Sequence, residues 1–158
     1  MSNFNYVAFG LNIRSAIPLP ELTRAGSGSD VRIRLRSSQD CFFHKNFCQE
    51  GDVSSSPETF CLSSAGNHFL IRNGWEIIVD PHLALEDRLL GFYLLERVLI
   101  ALLYQRGISV FHGSTVSIDG SAVSFMGPPR AGKTAITLSF CHMGHPVVDD
   151  DILAMPLN

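Results

Sequence analysis

The chain is poor in charge, and neither sign dominates. Charged residues make up 17% of its 158 positions and the formal net charge is −3. That balance excludes the broad basic surface of a nucleic-acid binder and the polybasic patch of a membrane-surface protein. Disulfide and zinc signals are lacking as well. The four cysteines, Cys41, Cys48, Cys61 and Cys141, form no C-x-x-C pair, and Cys41, His44 and Cys48 follow none of the usual zinc spacings. With no secretory leader, reduced thiols and a cytoplasmic location are expected. Cys141 reads as a core residue. No internal repeat is evident, and no apolar run is long and uninterrupted enough to span a membrane. The longest, Leu83 to Tyr104, is broken by Glu86, Asp87, Arg88, Glu96 and Arg97. Its leucines recur as one wide face, which predicts an amphipathic helix from about Glu86 to Gln105, ended by Gly107 and packed on the sheet that carries the loop described below.

What is present suits a globular α/β protein. Hydrophobic residues make up 46% of the chain, enough for a core in a domain of this length. Residues 1–82 read as a β-rich region. Strands are expected at Asn5 to Ile13 and Val31 to Arg36, and Asn73-Gly74 joins His68–Arg72 to Trp75–Val79 as a hairpin. Ala25 to Asp30 and Gly51 to Glu58 are Gly/Ser/Pro loops. Arg32, Arg34 and Arg36 alternate with apolar residues, so they share one strand face, either solvated or a docking face for an acidic peptide. The region carries no catalytic signature. Its role is either structural or peptide docking along a strand edge.

Residues Gly127, Pro128, Pro129, Arg130, Ala131, Gly132, Lys133 and Thr134 spell GPPRAGKT, a match to the phosphate-loop pattern G-x-x-x-x-G-K-[ST]. Ser121 to Met126 before it fits a buried strand. Ala135 to Met143 after it has apolar residues at helical spacing, with Gly144 as a stop. Strand, loop and helix in that order aim backbone N–H groups and the positive end of a helix dipole at one place where a polyphosphate can sit. Lys133 would reach the β/γ-phosphates and the Thr134 hydroxyl would hold Mg²⁺. Two prolines stiffen this loop, and Arg130 either adds a phosphate contact or points to solvent.

Two further groups converge on the loop. Val147 to Asp151 reads as a strand ending in Asp149, Asp150 and Asp151. A strand–helix–strand crossover brings the carboxyl ends of its parallel strands to one sheet edge, beside Lys133 and Thr134. The aspartates are either an acidic turn or a metal- and proton-handling pair. Asp119-Gly120 predicts a two-residue hairpin turn that pairs Ile118 with Ser121 and Gly113 with Met126. That register carries His112 to the mouth of the loop, as a functional or a packing histidine.

His112-Gly113, the hairpin, GPPRAGKT, a ten-residue helix, Gly144-His145 and Asp150-Asp151 together resemble the catalytic core of HPr kinase/phosphorylase and HPr-kinase-related proteins, over about Gly107 to Leu153. FGLNIRSAIPLPEL at Phe9 to Leu22 is more similar to the HPr-kinase-related proteins than to the N-terminal domain of true HPr kinases. The resemblance implies an α/β fold with a P-loop core like that of phosphoenolpyruvate carboxykinase, preceded by the β-rich region. It implies an ATP- and Mg²⁺-dependent kinase acting on the serine hydroxyl of a protein or peptide, in a family that often forms oligomers; a non-catalytic nucleotide- or peptide-binding module derived from such a kinase is the other expectation. Lys133 then corresponds to the phosphate-binding lysine, Thr134 to the Mg²⁺-binding Ser/Thr, Asp150 to the carboxylate that takes the serine proton, Asp151 to its metal-binding partner, and His112 to the active-site histidine. Asp149 falls where the family usually has a non-acidic residue. The family continues past the paired aspartates, so residues 83–158 are expected to hold the helix and the first part of the kinase-like domain, with catalysis depending on a C-terminal half supplied from elsewhere.

Overall fold

A computed structural model of the chain describes residues 3–40, 53–56, 58–82, 84 and 87–156. It divides into two units, Met1–Arg106 and Gly107–Asn158. The described residues form an α/β structure with helices and two separate sheets.

In the first unit, Phe4–Ala8 (β1) and Leu11–Ser15 (β2) are antiparallel strands, with Ala8 opposite Leu11. The sequence predicted one strand here, from Asn5 to Ile13. Phe9 and Gly10 instead take φ values of 52° and 73°. Two consecutive positive φ values reverse the chain with the twist that a tight hairpin needs. Thr23–Arg24 (β3), Val31–Leu35 (β4), Val53–Ser55 (β5), Thr59–Ser64 (β6), Asn67–Arg72 (β7) and Glu76–Asp80 (β8) complete a sheet in the order β3-β1-β2-β4-β8-β7-β6-β5. β4 lies parallel to both its neighbours, β2 and β8, and every other pairing is antiparallel. The predicted β7–β8 hairpin is present, but Arg72 pairs with Glu76, so Trp75 joins Asn73 and Gly74 in the turn.

A continuous helical segment follows: Arg88–Tyr93 (α1), a π-helical turn over Leu94–Val98, and Leu99–Gln105 (α2). Asp87 caps it, its carboxylate accepting the Leu89 N–H at 2.8 Å. The predicted apolar stripe is correct, but its expected partner is not. Leu90, Leu94, Val98 and Leu102 share one core with Tyr6, Ile13, Ile33, Phe69 and Ile77 of the first sheet. The inward-facing apolar positions of β1, β2, β4, β7 and β8 form the surface that can cover such a stripe, and each leucine buried there contributes roughly 1.5–3 kcal/mol. The division of the chain accordingly falls after Arg106, whereas the sequence suggested a boundary near residue 82. On the other face of the sheet Cys61, Leu70 and Ile78 form a smaller cluster. Burial pushes the Cys61 thiol up, which suits a packing residue rather than a nucleophile. Cys41, His44 and Cys48 lie outside the described residues.

The second unit holds Ile108–Ile118 (β9), Ser121–Met126 (β10), Lys133–His142 (α3), Val147–Asp149 (β11) and Ile152–Pro156 (β12). The predicted hairpin register is reproduced, from Ser121 opposite Ile118 to Met126 opposite Gly113. Asp119 and Gly120 supply the two positive φ values, 49° and 79°. β11 and β12 both run antiparallel to β9 on its other side. β10 and β11 are therefore parallel to each other, as a crossover requires, with β9 between them. α3 packs through Phe140, whose ring stacks on Phe125 at 5.5 Å, and through the buried Thr137. Two expectations of burial fail in this unit. Cys141, read as a core residue, is exposed, because Thr137 and Phe140 take the inward positions of α3. β10, read as a buried strand, is an edge strand with only Ser124 and Phe125 half-buried. Among the described residues no helix is long and apolar enough to cross a membrane.

Candidate functional site

The loop after β10 is built as an open ring. Ala131 N–H donates to Pro128 O at 3.2 Å, and Lys133 Nζ reaches back to the carbonyls of Gly127 and Pro128 at 3.0 and 3.3 Å. Arg130 and Gly132 hold φ values of 67° and 88°. A left-handed arginine costs on the order of 1 kcal/mol, and such strain concentrates at ligand sites. Gly132 costs nothing there, and it is the residue from which α3 starts. A Cβ on Gly127 would sit 3.3 Å from the Ala131 side chain, so the loop closes over a position that favours glycine. No side chain caps the N-terminus of α3 and no acidic residue lies in its first turn. Its leading N–H groups are thus left to solvent or to an anionic ligand.

The aspartates are placed by β9. Asp149 pairs with Thr115 and Ile152 with His112, so stepping along this register sets Asp150 opposite Ser114 and Asp151 opposite Gly113. Gly113 N–H donates to Asp151 O at 3.2 Å, in keeping with that step. The Asp149 side chain acts on the backbone, its carboxylate accepting the N–H groups of Asp151 and Ile152 at 2.8 and 2.9 Å. It closes the bend that presents the next two carboxylates. Ser114, 1% exposed, donates its hydroxyl to Asp150 Oδ1 at 2.5 Å. His112 Nδ1 lies 3.0 Å from Asp151 Oδ1, with both side chains 62% exposed.

His112, Ser114, Lys133, Asp150 and Asp151 line one cavity of about 510 Å³ together with Pro129, Arg130, Gly132 and Thr134. The sequence-predicted residues His112, Lys133, Thr134, Asp150 and Asp151 are therefore brought together, and Arg130 joins the lining. Gly127 and Pro128 contribute their carbonyls to Lys133, and Ala131 braces the loop. Ser114 was not singled out from the sequence. Hairpin register was the available signal, since it places residue 114 two positions from His112 on the strand facing the aspartates. No group of three or more His, Cys, Asp or Glu side chains able to hold a metal occurs among the described residues. The Thr134 hydroxyl and the Asp150 and Asp151 carboxylates are instead a sparse set of hard oxygen donors, the kind Mg²⁺ accepts when phosphate and water complete its shell.

Comparison with known proteins found no matching family model, no matching curated protein and no matching solved structure.

Proposed function

We propose that the loop Gly127–Thr134 binds the phosphates of ATP with Mg²⁺, on a P-loop core of HPr-kinase type, and that the site phosphorylates the serine hydroxyl of a protein or peptide. The observation that carries this reading is the single cavity that joins an uncapped helix N-terminus, a lysine, a threonine and two adjacent carboxylates. An anion-binding end and a proton-accepting end within one cavity suit phosphoryl transfer to a hydroxyl, where positioning and charge neutralisation do most of the work. The α3 N–H groups and Lys133 hold the phosphate oxygens. Thr134 and Asp151 would hold Mg²⁺, which supplies neutralisation of charge on the transferring group when bound. Asp150, one oxygen already engaged by Ser114, offers the other to the acceptor hydroxyl. The serine oxygen bonds to the γ-phosphorus, its proton passes to Asp150, and the bridging P–O bond breaks to release ADP. His112 stays at the rim, paired with Asp151.

A second reading, a nucleotide- or peptide-binding module without transfer, is favoured by the exposure of His112 and Asp151. Phosphoryl transfer works best where water is excluded. Titration calorimetry with Mg²⁺-ATP and transfer of labelled phosphate to serine peptides separate the two. Lys133→Ala is expected to weaken ATP binding about 100-fold, the scale of losing a charge-assisted contact. Asp150→Asn is expected to leave binding in place and abolish transfer. Unchanged ATP affinity in Lys133→Ala would overturn the phosphate-loop reading, and tight binding without transfer in the wild-type chain would select the module.

A further inference from the structure

A larger cavity lies elsewhere, on the outward face of β2 and β4 in the first unit. It measures about 840 Å³ and is lined by Arg14, Arg32, Arg34 and Arg36, with Ser37 and Asp40 among its polar neighbours. The four arginines are not equivalent. Arg34 donates to Glu76 from Nε at 2.8 Å and grips both oxygens of Asp40 at 2.7 Å, and Arg36 pairs with Asp80 at 2.5 Å. Arg14 and Arg32 are exposed, and no hydrogen bond or ion pair engages either side chain among the described residues.

Their placement makes this more than an ordinary solvated face. Arg14 and Arg32 are direct register partners on parallel strands, so two positive side chains stand side by side about 4.8 Å apart at the backbone. Like charges at such a position are destabilising. The next residue in that row is Glu76, opposite Arg32 on β8, but its carboxylate is taken by Arg34 and Arg72. Asp40, the other lining carboxylate, is taken by Arg34 and by the N–H and hydroxyl of Ser37. Neither adjacent guanidinium group has an ion-pair partner among the described residues: Glu76 and Asp40 are engaged by other groups, and the Asp30 carboxylate, two positions before Arg32, is turned to the N–H and side-chain amide of Asn12. We infer that this groove binds an extended acidic peptide segment, with carboxylates seated on Arg14 and Arg32. Charge complementarity selects an anionic occupant, and a cavity of this volume accommodates several residues where a lone phosphate would fill a small part. The paired Arg34 and Arg36 form a fixed wall, and Arg14 and Arg32 supply the free donors. The inference stands independently of the phosphate-loop reading.

The test is fluorescence anisotropy with a labelled peptide of alternating glutamate and alanine, at low and physiological salt. Arg14→Gln/Arg32→Gln should weaken binding at least about tenfold, whereas the charge-matched Arg88→Gln/Arg97→Gln should change it less than about twofold. A glutamine version of the peptide should not bind. Equal loss in both variants, or displacement of the peptide by inorganic phosphate at comparable concentration, would overturn the peptide site. So would concentration-dependent dimerisation of the wild type that the first variant abolishes, since a second copy would then be the occupant. Thermal melting gives a readout without ligand. The Arg14/Arg32 variant should melt at the same or a higher temperature at low salt, and a clear drop would reveal an internal partner and sink the inference.

Discussion

Of the 22 apolar side chains buried among the described residues, 21 lie in Met1–Arg106 and one, Val116, lies in Gly107–Asn158. Large exposed apolar side chains are distributed the other way: among the described residues nine of fourteen belong to the second unit. The first unit is organised by burial, a wide mixed sheet covered by one helical segment. The second is organised by strand register and loop closure around polar groups, with Ser114, Thr115 and Thr137 buried where a core would hold aliphatic residues. The difference is physical. Burial can be spread over many interchangeable contacts, whereas a site for an anion needs donors and carboxylates at fixed positions, and those must face water or a ligand.

The largest effect expected from breaking this contrast is in the first core. Phe69 is fully buried, and Phe69→Ala should lower stability by about 3–5 kcal/mol. Denaturant unfolding followed by Trp75, the sole tryptophan, reports it; an unchanged midpoint would contradict the packing described for that sheet. In the second unit a single hydroxyl should matter more to chemistry than to stability. Ser114→Ala removes the hydrogen bond to Asp150, and on the proposed transfer to serine this should cost about 1.5–3 kcal/mol, or roughly a 10- to 100-fold loss of rate, with the KM for ATP unchanged. A rise in KM with constant kcat would instead place Ser114 in ligand binding.

Acid should act on the first unit through its partly buried ion pairs. Hydrogen bonding from Arg34, assisted by Ser37, holds the Asp40 carboxyl well below the usual carboxylate range. Burial of Glu76 opposes its ionisation, but hydrogen bonds from Arg34 and Arg72 prevail and lower its pKa. A carboxyl with a depressed folded-state pKa stabilises the fold above its unfolded value, near 4, and the contribution is lost as pH falls through the folded value. The melting temperature reported by Trp75 should drop as pH falls from about 5 to 2. Asp40→Asn should lower it by the equivalent of about 1–2 kcal/mol at neutral pH and flatten the acid limb. A flat wild-type profile would refute the ion-pair account. The smallest effect is a gain. Thr137 Oγ1 is buried without a hydrogen-bond partner. Thr137→Val keeps the shape and removes the orphan, so it should stabilise the second unit by about 1 kcal/mol, measurable as slower amide exchange along α3. Faster exchange would mean that the hydroxyl is satisfied after all.

Much of the site was legible because its parts are local. GPPRAGKT lies between a short β-run and a helical pattern, and Asp119-Gly120 defines a turn whose register follows by counting. Counting along the hairpin therefore places His112 at the mouth of the loop, where it lines the cavity. Less was legible where partners are distant in sequence. The sequence predicts Phe9-Gly10 within one strand, although its φ values form a turn. The Ser114–Asp150 hydrogen bond spans 36 residues and depends on β11 and β12 continuing along one side of β9.

The sequence by itself determined the Gly127–Thr134 loop between strand and helix, the hairpin that precedes it and the amphipathic stripe of residues 88–105, because turn chemistry and residue period act within a few positions of the chain. Tertiary structure alone decided which sheet covers that stripe, that β4 runs parallel between β2 and β8, that Asp150 is gripped by Ser114, and that Arg14 stands beside Arg32. Those outcomes follow from competition among surfaces and charges far apart in the chain, and a stripe or an arginine carries no local mark of the partner it will meet.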